Sequence, residues 1–159
     1  MAMTIQTDGL EELNAMLAQL GNKAGDVAAG ALYDGAGVVA DAFSRAVNQI
    51  RTEPFKGKRD KRLPSPEEKA ALEGKTGIGK FRNEGDEVNT LIGVSGAAGY
   101  AQIGNTQKAV RLIARSINSG TSFMTKQPVF RKAASASGSA AKGAIVAKAD
   151  KLFNEIING

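Results

Sequence analysis

Apolar side chains recur at alternating threes and fours between Lys23 and Ile50, with Leu32, Ala36, Val39, Phe43, Val47 and Ile50 in one stripe. Residues three and four apart stack on one side of a 3.6-residue turn, so this spacing predicts a long helix with a buried face. Upstream, Leu10, Leu13, Leu17 and Leu20 make a shorter stripe. It predicts a separate N-terminal helix with Asp8 as N-cap and Glu11 as its capping-box partner, stopped by Gly21-Asn22. Gly30, Gly35 and Gly37 weaken the long helix by roughly 1 kcal/mol each relative to alanine. Either another element approaches the backbone closely there, or the helix bends at Asp34-Gly35.

From Arg51 to Lys75 the pattern dissolves. Pro54, Pro64 and Pro66 interrupt any regular element, and Lys56 to Arg62 is a compact basic run. This stretch reads as a mobile loop, with Ser65-Pro66-Glu67-Glu68 starting a turn or two of helix up to Glu73. Strands are predicted at Gly77 to Asn83 and Glu87 to Ser95, joined at Glu84-Gly85-Asp86 as a hairpin. Gly96 to Gly99 is a loop, and Tyr100 to Lys108 has no decisive period. Val110 to Ile117 alternates well enough to suggest a strand, although Ile113 and Ile117 fall on the same side as Arg111 and Arg115. Gly120 then allows a turn, Thr125 is a candidate N-cap and Pro128 sits in a first helical turn. A last helix runs on from Val129, burying Phe130, Ala134, Ala141, Ile145, Leu152 and Ile156, with a middle built of alanine, serine and glycine. Two long helices, a short N-terminal helix and one small, mostly antiparallel sheet make an α+β domain.

Composition narrows the chemistry. The 159-residue chain, read as one domain, has no cysteine and no histidine. Disulfides, the usual zinc sites, imidazole bases and Ser-His or Cys-His pairs are therefore absent, which argues against an enzyme and calls for no cofactor. The formal charge is +5, compatible with an acidic partner or nucleic acid without requiring one. No apolar run approaches the roughly 18 residues of a membrane span, and Met1 to Leu10 lacks a signal-peptide pattern, so the expected site of synthesis is the cytoplasm.

Several motif lookalikes fail on context. Gly74-Lys75-Thr76 has Lys69 where a phosphate loop needs glycine. Gly35-Ala36-Gly37 lies inside a helical period rather than after a strand. Ser139-Ala140-Ala141-Lys142 follows, rather than precedes, Lys75-Thr76-Gly77, and the chain has no Ser-Asp-Asn. The basic run has two readings. Lys56, Lys58, Arg59, Lys61 and Arg62 either face DNA phosphates or an acidic protein rim, or are a solvated surface loop. Arg111 and Arg115 either form an interface or pair within the chain. No aromatics interleave with the basic run, which argues against stacking on single strands.

Gly120, Thr121, Pro128, Val129, Phe130, Arg131 and Ala133, with the opening Gly9-Leu10-Glu11-Glu12-Leu13, resemble the tail-component family of long-tailed phages named for the tenth gene product of phage Hong Kong 97. The chain departs from that pattern at Ile117-Asn118, at Arg51-Thr52-Glu53 and at Lys132. The resemblance implies a virion protein made in the host bacterium, a tail-terminator or tail-completion subunit. Such subunits form a homo-oligomeric ring, commonly of six, between the tail tube protein and a head-side neck or stopper protein, with packaged DNA in the channel and no membrane. A neck adaptor or stopper, and a small basic DNA-binding protein, are the alternative readings.

Overall fold

A computed structural model describes residues 10–54, 61–84, 87–94 and 98–158. Helix α1 (Leu10–Asn48) is one continuous element of 39 residues, about 58 Å long at 1.5 Å per residue. The expected break at Gly21-Asn22 does not occur. A Cβ at Gly21 or Gly25 would meet nothing within 4 Å, so these glycines carry only their intrinsic helix penalty, and the flanking turns outweigh it. Asp8 lies outside the described residues.

Helix α2 (Pro66–Ala70) follows the proline-rich stretch. Next, β1 (Thr76–Ile78) pairs antiparallel with β4 (Ile92–Val94), and β2 (Arg82–Glu84) with β3 (Glu87–Asn89). The expected hairpin is thus present but broken. Three residues, Gly79 to Phe81, lie opposite only Thr90 and Leu91, so the register shifts by one as at a bulge. A Gly79 N–H to Leu91 O bond of 2.6 Å and a Thr90 Oγ1 to Gly79 O bond of 2.9 Å hold that joint.

The undecided Tyr100 to Lys108 stretch is a second hairpin of β5 (Tyr100–Ile103) and β6 (Thr106–Ala109). Its two-residue turn is Gly104-Asn105, with Gly104 at φ 57° supplying the positive angle. The sheet expected as one unit is therefore three separate two-stranded ladders.

Val110 to Ile117 is a helix, not a strand: α3 (Val110–Ser119). Val110, Ile113, Ala114 and Ile117 fall at i, i+3, i+4 and i+7, and all four are buried. The two isoleucines that break the alternation are the helical signal. Helix α4 (Val129–Asn158) begins directly after Pro128, so Thr125 is not its N-cap. Along it Phe130, Ile145, Leu152 and Ile156 are half-buried and Ala141 is buried, but Ala134 is exposed and Ser137 takes an inward position, its hydroxyl donating to Ala133 O at 2.8 Å.

The core gathers Val47 and Ile50 at the end of α1, Leu72 after α2, the inner side of α3, and Met124. Phe43 and Phe130 meet at its edge with ring centroids 5.5 Å apart. From there α1 and α4 run antiparallel as a two-helix arm, Gly35 opposite Ile145 and Gly30 opposite Leu152. A Cβ on Gly35 would sit 2.4 Å from the Ile145 side chain and 3.0 Å from Ala141 O. Close approach, rather than a bend, explains that glycine.

Candidate functional site

Ser65-Pro66-Glu67-Glu68 starts α2 as its sequence predicts, with a complete capping box. Ser65 Oγ accepts from the Glu68 N–H at 3.2 Å, and the Glu68 carboxylate accepts from the Ser65 N–H at 3.0 Å. Such a glutamate normally remains solvated, whereas Glu68 is 1% exposed. Its two oxygens take a forked guanidinium from Arg62, with Nη1 at 2.7 Å and Nη2 at 2.8 Å, and Lys108 Nζ at 3.0 Å. Burial disfavours the charged carboxylate, yet the hydrogen bonds from Arg62, the Ser65 N–H and Lys108 outweigh it and hold the pKa down at about 2. The reciprocal bond to Glu68 raises the Arg62 pKa against the opposing effect of its own burial. With its acceptor capacity filled, Glu68 joins three segments, the exit of the basic run, α2 and β6, and is not free to act as a base.

The stem of the basic segment is tied on both sides. The Glu53 N–H donates to Pro64 O at 3.0 Å, and the Leu63 N–H donates to Glu53 Oε1 at 2.6 Å. The Arg62 backbone forms a parallel bridge beside Met124, donating to Phe123 O at 3.0 Å and accepting from the Thr125 N–H at 2.8 Å. Gln127, 6% exposed, lays its amide along Arg51, accepting from its N–H at 3.0 Å and donating to its O at 2.9 Å. A side chain here copies the exchange of a paired strand and fastens the end of α1 to the entry of α4.

Of the predicted basic residues, Lys56, Lys58 and Arg59 lie outside the described residues. Lys61 is exposed. Arg62 is held by Glu68 in the internal clasp. Between the clasp and the Gly104-Asn105 turn lies an open pocket of about 610 Å³, bounded by Pro54, Pro66, Ile103 and Thr106, with Arg62 and Lys108 already turned to Glu68.

Arg111 and Arg115 share a face as expected, but on α3, one turn apart and exposed. No carboxylate lies within 4.0 Å of either among the described residues. The motif residues act in the turn between α3 and α4. Gly120 ends α3 at φ 74° and ψ 167°, and Thr121 Oγ1 accepts from the N–H groups of Phe123 and Met124. Pro128 precedes the first turn of α4, Phe130 packs on the core, and Arg131 is exposed.

The capping box is legible in the sequence, but the role of its glutamate as the clasp and that of Gln127 are not. The partners lie up to 76 residues away, where no local period points. Among the described residues no group of three metal-ligating side chains converges, and no helix is long and apolar enough to cross a membrane. No family model, curated protein or solved structure matches the chain.

Proposed function

We propose that this protein works by assembly, as a structural subunit that packs against copies of itself. The carrying observation is on α4, where two apolar stripes run side by side. Ile145, Leu152 and Ile156 are half-buried, with Ile145 and Leu152 against the glycines of α1. Val146, Phe153 and Ile157, one residue on and so about 100° around the helix, are 59, 37 and 47% exposed. A two-helix arm covers one stripe of each helix and leaves this one for a further helix.

The stripe is crossed by charges of both signs, Lys142 and Asp150, and α1 likewise exposes Asp26, Asp34 and Asp41 among Lys23 and Arg45. Lys148 and Asp34, at 3.9 Å, pair acid with base across the arm. An α4-to-α1 contact between neighbours is head-to-tail, and such contacts close into rings when the rotation allows.

The specific reading is a tail-terminator or tail-completion ring of a long-tailed phage, at the joint between tail tube and head-side neck proteins. The Gly120-Thr121 turn and the Pro128-to-Arg131 helix start support it, because these motif residues build one structural corner. Solution mass of the purified protein, alone and with tail tubes, tests this reading. A closed oligomer that binds tube ends is expected, and Phe153→Asp should return the protein to monomer while leaving its helix content intact. A monomeric wild type at micromolar concentration would remove the proposal.

A further inference from the structure

Between Glu87 and Asp150 the chain carries eight lysines and arginines and no acidic residue. Five of these lie along α3 and the segment that follows it, Arg111 and Arg115 on α3, Lys126 in the turn, and Arg131 and Lys132 at the start of α4, all exposed. Two contacts bring them together. Asn118, on the same side of α3 as the two arginines, accepts from the Arg131 N–H at 3.3 Å. Gly120 lies against Lys126, so that a Cβ there would be 3.0 Å from the Lys126 Cβ. None of the five has a carboxylate within 4.0 Å among the described residues. The Arg62 bridge to Phe123 and Thr125 brings the exit of the basic run, with exposed Lys61, to the same corner. Of the nearby described carboxylates, Glu68 is occupied by Arg62 and Lys108, Glu53 accepts from the Leu63 N–H and Glu67 from the Gly104 N–H. Among the described residues, Lys61 thus adds to a positive face built by the α3–α4 cations.

We infer that this face binds the phosphate backbone of a nucleic-acid duplex. Three of its five cations are arginines, whose planar fork matches a phosphate better than an ammonium does. Arg111 and Arg115 stand about 6 Å apart along the α3 axis, and a duplex offers a charge every 1.7 Å or so of its length, so several phosphates fall within reach at once. No series of aromatic rings lies among the cations, which favours a duplex over stacked single strands. Contacts of this kind hold the backbone without reading bases, so binding is independent of sequence. Exposed Leu112 and Phe123 at the margin are what an acidic protein would use instead, and the test separates the two. This inference does not depend on ring formation.

The experiment is fluorescence anisotropy of a labelled 30-base-pair mixed-sequence duplex with the full chain, between 50 and 200 mM NaCl. Five phosphate contacts give an expected log–log salt slope of about −4.5. Arg111→Gln with Arg115→Gln, and separately Arg131→Gln with Lys132→Gln, should each weaken binding about tenfold or more at 50 mM and flatten the slope by about 2. Lys75→Gln with Lys80→Gln removes the same charge from exposed residues beside β1 and should change affinity less than about threefold. All these positions are exposed, and circular dichroism checks that each variant is folded. Absence of duplex binding at 50 mM, or equal losses from all three pairs, overturns the inference. Polyglutamate bound as tightly as the duplex also overturns it and assigns the face to an acidic protein. Solution mass of the same samples keeps a failure here distinct from a failure of assembly.

Discussion

Glu68 illustrates how a single side chain changes role when its neighbours come from elsewhere in the chain. Removing it strands Arg62 and Lys108, so Glu68→Ala should destabilise the fold by about 3 kcal/mol, read from denaturant unfolding at pH 7. The pH dependence has a definite sign. The folded pKa of about 2 lies below the ordinary 4.5, so the carboxylate's contribution is complete above roughly pH 5 and is lost as the pH falls towards 2. The stability gap between wild type and Glu68→Gln should close over that window, and a gap constant from pH 6 to 2.5 would refute the clasp. Two glycines of α1 offer a second residue-scale contrast. Gly35→Ala should cost about 1–3 kcal/mol, because its methyl meets Ile145 and the Ala141 carbonyl. Gly37→Ala, with nothing within 4 Å, should instead stabilise by up to about 1 kcal/mol. Thermal melts of the two variants moving in the same direction would refute the α1–α4 packing.

Among the elements, α3 and the turn after it govern how the two halves of the core meet. Four buried residues at helical spacing give α3 its inner face, while its outer face keeps Arg111, Leu112 and Arg115 in water. The turn is strained for any residue but glycine. At φ 74° and ψ 167°, with Lys126 pressed against the position of a Cβ, Gly120→Ala should lose about 1–3 kcal/mol. Unfolding midpoints measure this, and a neutral substitution would mean that the turn relaxes without penalty. The three ladders are different in kind. Two-stranded ribbons of three or four residues are marginal alone, and here they are held by α1, α3 and the clasp through Lys108.

For the whole molecule, the division into a small core and a long helical arm is the main architectural fact. The core is built at one end of α1, and the arm carries α4 away from it with one apolar stripe covered and one open. Phe153→Asp therefore probes assembly without touching the core, whereas the arginine substitutions on α3 probe the charged corner without touching the arm. If the two surfaces serve separate partners, each variant should lose one property and keep the other, by solution mass and duplex binding respectively.

Both long helices, the α2 start and the first hairpin were legible because each depends on a period or cap contained within a few successive residues. The absence of histidine and cysteine was equally plain, and with it the loss of whole classes of chemistry. Residues 110–117 mimic strand alternation because a ten-residue helix carries two arginines on its outer face; the apolar set at helical spacing is the one that packs with Val47 and Ile50. The clasp, the Gln127 tie and the Arg62 bridge to Phe123 and Thr125 exist only in the folded chain. Each includes a contact between residues 40 or more positions apart, and contacts at such separations follow from how the elements pack rather than from any local pattern.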